Sequence, residues 1–186
     1  MPRRPMRLLI LTLLAVVQVA AGCAKTPPTP LPTHTPAIAL EAEKRVEEGG
    51  FAYRPIPGYT VNGIDVNFFM TAPGVDLKTG PTFLVIGGPE AEALTLDEAF
   101  KSFIAYMADT EFSEPQKFTL DEVPALRADV RVSVEGVDVT GQLVVARPGP
   151  KQGFLLLGFA PADRWESEVE ALFEAVLASV KLFKES

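Results

Sequence analysis

Residues 129–145 read DVRVSVEGVDVTGQLVV and decide the fold. Apolar side chains, most of them valine, recur at alternate positions on both sides of Glu135-Gly136, and mostly polar or charged residues stand between them. A two-residue period puts the apolar side chains on one face of a strand and the polar ones on the other. Gly136 favours a turn between the two runs. The stretch therefore predicts an antiparallel hairpin with one buried face and one polar face.

Other strands are predicted on either side of this hairpin. Phe83–Ile86 and Phe154–Phe159 are continuous apolar runs, which are typical of central strands covered on both faces. Residues 64–70 alternate again, and the Asn62-Gly63 pair before them predicts a tight hairpin turn at those two residues.

Two helices are predicted from capping and periodicity. Thr95 followed by Glu98 is typical of a capping box, and apolar residues recur after it at helical spacing. A second helix is predicted to begin near Pro161–Asp163 with Trp165 on its apolar stripe, where packing in the core is favoured over a role as an exposed anchor for a partner. This order of elements predicts an α+β fold, a mostly antiparallel β-sheet flanked by helices.

The N-terminal residues are typical of an export signal. Residues 1–22 carry three arginines and no acid, continue into an apolar run at 8–17 and end in small residues. The apolar run is too short to span a bilayer, so the segment is predicted to be a signal peptide that is removed. Ala20-Ala21-Gly22-Cys23 resembles the lipobox of bacterial lipoproteins, with Ala20 where Leu is commonest. The resemblance implies lipid attachment at Cys23.

Cys23 is the only cysteine in the chain. A single free thiol on an exported protein risks intermolecular pairing, whereas lipid attachment consumes the thiol. The alternative is conventional cleavage, which would discard Cys23. We therefore expect a protein anchored by acyl chains to the cell membrane or the outer membrane and facing outside the cytoplasm.

A spacer and a domain follow the anchor. Residues 24–36 contain five prolines interleaved with threonines, a composition that favours extended geometry. Residues 37–48 are predicted to form a short charged helix ended by Gly49-Gly50, so the spacer region covers residues 23–50. Residues 51–186 are predicted to be the globular domain.

The domain resembles the PsbP-like group, which includes photosystem extrinsic subunits and lipoproteins of the DcrB type. The matching stretches are Phe51-Ala52-Tyr53 before Pro57-Gly58-Tyr59, then Val123-Pro124-Ala125-Leu126, and Ala178-Ser179-Val180. The resemblance implies a PsbP-like α/β/α sandwich and docking or accessory roles rather than catalysis. It carries no shared catalytic set.

The sequence has few signs of a catalytic, metal-binding or phosphate-binding site. The sequence has no HExxH, EF-hand or GxSxG motif, and its single histidine, His34, lies in the spacer. Gly87-Gly88-Pro89 lacks the spacing and the lysine of a phosphate loop and is predicted to be a plain turn. We therefore predict no catalytic residues, no metal ligands and no cofactor, and a protein that is not an enzyme.

The polar face of the middle hairpin is the candidate surface for docking a partner. It is predicted to carry Arg127, Asp129, Arg131, Glu135 and Asp138. Cross-strand charge pairs that merely stabilise the sheet are the alternative interpretation. A face of mixed charge also supports specific docking.

Charge and composition bound the functional hypotheses. The net charge of −7, without a basic block, argues against a nucleic-acid partner. The first hypothesis is a lipid-anchored, non-enzymatic binding or assembly protein whose partner is an unknown membrane-associated protein. The alternatives are a lipoprotein that binds a small apolar ligand and a hydrolase that uses carboxylates only. A cavity lined by phenylalanines would favour the first alternative, and carboxylates converging in a cleft would favour the second.

Overall fold

The middle hairpin lies inside an eight-stranded sheet. The computed structural model describes residues 38–75, 80–107 and 109–183; the predicted signal peptide, Cys23 and the proline spacer lie outside them. The strands are β1 (Lys44–Val46), β2 (Phe51–Tyr53), β3 (Thr60–Ile64), β4 (Asn67–Thr71), β5 (Thr82–Pro89), β6 (Glu111–Phe112), β7 (Gln116–Leu120), β8 (Val123–Val134), β9 (Val137–Gly149), β10 (Gln152–Pro161) and β11 (Lys181–Leu182). The helices are α1 (Leu96–Ala105), the short α2 (Ala162–Arg164), a π-helical turn (Trp165–Val169) and α3 (Glu170–Ser179).

The large sheet is antiparallel throughout its described pairs and runs in the order β3-β4-β5-β10-β9-β8-β6, with β7 also paired to β8. β5 and β10 lie in the middle of this order, which confirms the central strands that the continuous apolar runs predicted, and they pair with each other. The β8–β9 hairpin turns at Glu135 and Gly136, whose φ angles of 54° and 84° are both left-handed. This is the turn that the alternation predicted.

The sheet is covered on both faces because successive residues of its long strands put apolar side chains on opposite faces. Leu126, Ala128 and Val145 face α1, whereas Ala125, Val144 and Leu156 face α3 and the small sheet. The α+β fold with helices on both faces is therefore confirmed. Thr95 caps α1, with its Oγ1 accepting from the Glu98 amide and Glu98 accepting in return, as predicted.

A three-stranded sheet of β1, β2 and β11 packs against the large sheet. The helix predicted over residues 37–48 is wrong, because Lys44–Val46 pairs antiparallel with Phe51–Tyr53 and buries Val46. The turn through Gly49-Gly50 therefore joins two strands and does not end a helix. Residues 40–50 belong to the packed unit, so the core extends N-terminal to the predicted boundary at residue 51.

The β3–β4 turn lies at Asp65-Val66, three residues later than the predicted Asn62-Gly63 turn. Asn62 and Gly63 instead pair with Phe69 and Phe68 inside the ladder. A Cβ at residue 63 would lie 2.5 Å from Cε1 of Phe68. The glycine therefore makes room for an aromatic ring and does not form the turn.

The turn predicted at Gly87-Gly88-Pro89 is also wrong, because these residues continue β5 and pair with β10. A Cβ at residue 87 would lie 2.4 Å from Cδ1 of Phe51 and 2.7 Å from the carbonyl oxygen of Gly49. Gly87 is thus needed for the close approach of the β1–β2 turn to the large sheet.

The C-terminal helical region begins at Ala162, within the predicted range, and includes a π-helical turn that no sequence pattern predicted. Trp165 is 5% exposed, and its ring centroid lies 5.9 Å from that of Phe173. The prediction that Trp165 packs in the core is confirmed.

Candidate functional site

A groove of about 870 Å³ lies between the distal part of the β8–β9 hairpin and the start of the C-terminal helical region. Its floor includes the polar face of the hairpin, which is paired in register as Asp129 with Gln142, Arg131 with Thr140 and Ser133 with Asp138. Its wall includes Trp165, Glu166 and Glu170, and Asp109 and Glu111 border it near β6.

The groove exists because the helical region covers only part of the polar face. β10 ends at Pro161, which is paired with Val139 of β9, so the helical region starts directly beside the hairpin. The π-helical turn places Trp165 in the core, while the Glu166 side chain is exposed and lines the groove. π-Helical turns recur at functional sites in proteins.

Arg127 marks the covered end of the polar face. Its Nη2 donates to Gln142 Oε1 and to Glu174 Oε1 of α3, and its guanidinium carbon lies 5.8 Å from the centroid of the Phe173 ring. The Arg127 and Glu174 side chains are only 18% and 29% exposed. Arg127 therefore fastens α3 to the sheet and is not among the groove-lining residues.

The other predicted docking residues divide into two groups. Asp129, Arg131 and Asp138 line the groove together. Asp129 accepts a hydrogen bond of 3.2 Å from Gln142 Nε2, which orients its carboxylate along the floor. Glu135 lies in the hairpin turn and is not among the groove-lining residues. Docking at the groove remains a prediction, and it now rests on these three residues.

Sequence reasoning missed four acidic residues that border the groove, namely Asp109, Glu111, Glu166 and Glu170. They come from segments far from the hairpin along the chain, so strand alternation gives no sign of them. The pairing of Glu111 with Arg131 across β6 and β8 brings the first two to the floor.

The groove carries more acidic than basic residues, with six carboxylates and one guanidinium among its lining residues. Some acids elsewhere have a cationic partner, as at Glu168, whose Oε2 accepts two hydrogen bonds from Arg164 at 3.0 and 2.6 Å. This partner holds the pKa of the Glu168 carboxyl below its usual range. Within residues 38–75, 80–107 and 109–183, none of the six groove carboxylates forms an ion pair.

Two other kinds of site find less support among the described residues. No group of three or more His, Cys, Asp or Glu side chains in them is placed to hold a metal ion. Phe51, Phe154 and Phe83 are buried and pack against other aromatic rings at centroid distances of 5.4 to 6.5 Å, so they fill the core. A smaller hollow of about 290 Å³ lies beside Phe103 and Gly88.

Replacing Arg127 by Met is expected to lower the free energy of unfolding by about 1–3 kcal/mol, because Glu174 and Gln142 then lose their shared, partly buried donor. Urea unfolding measures the change. Arg164→Met is the matched control, since it breaks the more exposed Arg164–Glu168 pair and should cost much less. Equal losses in the two variants would contradict the role assigned to Arg127.

No family model and no curated protein matches the sequence. Among solved structures, cyanobacterial PsbP (CyanoP) from Synechocystis superposes with a TM-score of 0.59 at 16% identity, covering 78% of this chain and 94% of its own. The fold is PsbP-like.

Two further structures share the PsbP-like fold. LpqN of Mycobacterium tuberculosis, described as involved in cell envelope biogenesis, has a TM-score of 0.53 at 15% identity and covers 76% of this chain and 90% of its own. A protein from Bacteroides thetaiotaomicron has a TM-score of 0.51 at 14% identity, covering 78% of this chain and 50% of its own. At such identities the likeness concerns the fold alone. Among the described residues, no helix is long and apolar enough to span a bilayer.

Proposed function

We propose that this protein is a lipid-anchored, extracytoplasmic accessory protein that is not an enzyme and binds a membrane-associated partner protein through the groove. The observation that carries the proposal is the groove itself, an open concavity whose floor is the polar hairpin face with Asp129, Arg131 and Asp138. Charged side chains arranged on a concave surface favour specific and rapid association with a complementary partner.

Three further observations support this function. CyanoP and LpqN share the fold, and LpqN is described as involved in cell envelope biogenesis, so the fold is compatible with an accessory role in the envelope. The N-terminal sequence has the three regions of a signal peptide followed by Cys23. The groove is lined largely by charged and polar side chains, which favours a protein partner over a small apolar ligand. The carboxylates that share this groove also meet the condition stated above for a hydrolase that uses carboxylates only, so that alternative stands as the second candidate function.

The anchor gives the first prediction of this function. Cys23→Ser is expected to abolish the incorporation of a radiolabelled fatty acid and to stop normal processing, because the thiol is the acceptor of the lipid. The label is followed by autoradiography of the purified protein. Incorporation by the serine variant, or none by the native protein, would contradict the lipoprotein assignment.

Docking is tested by charge reversal and recovery of the partner from membranes. Asp129→Lys with Asp138→Lys should abolish co-purification of a partner protein, because like charges facing each other at an interface cost several kcal/mol. Glu48→Lys with Glu92→Lys is the matched control, since both residues are exposed and neither lines the groove. Equal loss in the two double variants would show an effect of net charge and overturn the assignment of docking to the groove.

A further inference from the structure

The chemistry of the groove identifies the class of its occupant. Its six carboxylates come from four separate parts of the chain: the segment before β6 and β6 itself, β8, β9, and the helical region. They therefore lie on the floor and on both sides of the groove. Arg131, the one cation among the described lining residues, stands opposite Glu111 in the β6–β8 pairing and forms no ion pair with any of the six, so the groove keeps an excess of negative charge. A single compact cation would meet only some of the six carboxylates.

Some acids outside the groove have a basic partner. Glu174, four residues after Glu170, is paired with Arg127, and Glu43 is paired with Lys181 at 2.9 Å. The carboxylates of the groove have no such partner in residues 38–75, 80–107 and 109–183. Electrostatic repulsion among them is relieved when an occupant brings positive charge, which makes binding favourable.

Arg131 sets a second requirement for the occupant, which is a hydrogen-bond acceptor. It lies between Asp129 and Ser133 on β8, is exposed, and has no hydrogen-bond or ion-pair partner among the described residues. A guanidinium has five donors and no acceptor. An occupant that satisfies the whole groove therefore carries several cations and also an acceptor, such as a peptide carbonyl, for Arg131.

We infer that the groove binds a segment of a partner protein that carries several lysine or arginine side chains. This inference rests on the proposed docking function and names the chemistry of the partner. A peptide segment supplies spaced cations and carbonyl acceptors in one chain, and a groove of about 870 Å³ accommodates several side chains. An anionic lipid headgroup or a nucleic acid would meet the same carboxylates with repulsion.

The inference is tested on the full chain, purified in detergent, with short fluorescein-labelled peptides. The peptide that alternates lysine with serine should bind by fluorescence anisotropy, and the peptide that alternates glutamate with serine should not. Asp129→Asn with Asp138→Asn should weaken binding of the lysine peptide by about tenfold, because two attractive charges are removed while the new amide oxygen at position 129 still accepts from Gln142. Raising the salt to about 1 M, where the Debye length is about 3 Å, should weaken it further.

Glu48→Gln with Glu92→Gln is the control, since it removes the same charge outside the groove and should leave binding of the lysine peptide unchanged. Equal weakening by the two double variants overturns the inference. So does spermine binding as tightly as the lysine peptide, because spermine offers cations without a carbonyl acceptor. If no peptide binds, but charge reversal at Asp129 and Asp138 still abolishes co-purification of the partner, the assignment of a basic partner is overturned. The docking function then still stands. Absence of both effects overturns both.

Discussion

Replacing Phe173 by Ala is expected to lower the free energy of unfolding by about 3–5 kcal/mol, as for other large-to-small changes at fully buried aromatic residues. Phe173 has no exposed surface. Its ring centroid lies 5.9 Å from that of Trp165 and 6.5 Å from that of Phe83. The ring therefore joins the C-terminal helical region to the centre of the large sheet. Its loss leaves a cavity that rigid strands cannot collapse to fill.

Denaturant unfolding measures this change. Leu172→Ala is the control on the same helix, since Leu172 is only partly buried and should lose less stability. A loss below about 1 kcal/mol for Phe173→Ala would contradict the packing described for α3. Because Arg127 also lies over the Phe173 ring, we expect the variant to loosen the wall of the groove as well.

Deleting residues 38–50 is expected to remove at least about 3 kcal/mol of stability, from the burial of Val46 and from several hydrogen bonds worth about 0.5–1.5 kcal/mol each. Arg54 donates to the carbonyl oxygens of Glu41 and Leu40 at 2.7 and 2.8 Å, and Gly50 accepts from the amide of Phe183 at 2.8 Å. Removing the segment breaks these bonds and exposes one side of β2.

The matched control is deletion of residues 24–36, the same length of chain taken from the proline spacer. We expect this second deletion to leave the unfolding midpoint unchanged, because the spacer has no periodic apolar face. Thermal unfolding measures the midpoints of both deletion variants. Equal stability of the two, or a larger loss for the spacer deletion, would mean that β1 contributes little to the fold.

The long strands could be predicted from the sequence because their alternation or continuous apolar runs depend only on which faces are buried. β8, β9 and β10 follow this rule, as does the capping box of α1. The short strand β1 could not be predicted, because three residues carry too little periodicity to outweigh the helical propensity of the charged residues around them. Its conformation is set by tertiary pairing with β2.

Glycines were the second source of error. Asn62-Gly63 and Gly87-Gly88 have the composition of turns, but both pairs lie inside strands. Gly63 and Gly87 are glycines because the rings of Phe68 and Phe51 leave no room for a Cβ. The position of an aromatic ring over a neighbouring strand depends on tertiary packing, so the local sequence does not predict it.

The candidate site was predictable in part for a similar reason. Asp129, Arg131 and Asp138 were identified because strand alternation puts them on one face. Glu166 and Glu170 were not, since their place beside the hairpin depends on where β10 ends and the helical region begins. The environment of Arg127 also depends on α3, because only tertiary packing brings Glu174 to its guanidinium.

Photo-crosslinking from the floor of the groove tests most directly whether this surface docks a partner. Ser133, which is exposed and lines the groove, is replaced by a photoreactive amino acid in the full, membrane-bound chain. Lys101, which is exposed on α1 at the opposite face of the sheet, is replaced in the control. We expect one discrete crosslinked envelope protein from position 133 and none from position 101. The same product from both positions, or none from position 133 in a folded protein, would show that this groove does not dock a partner.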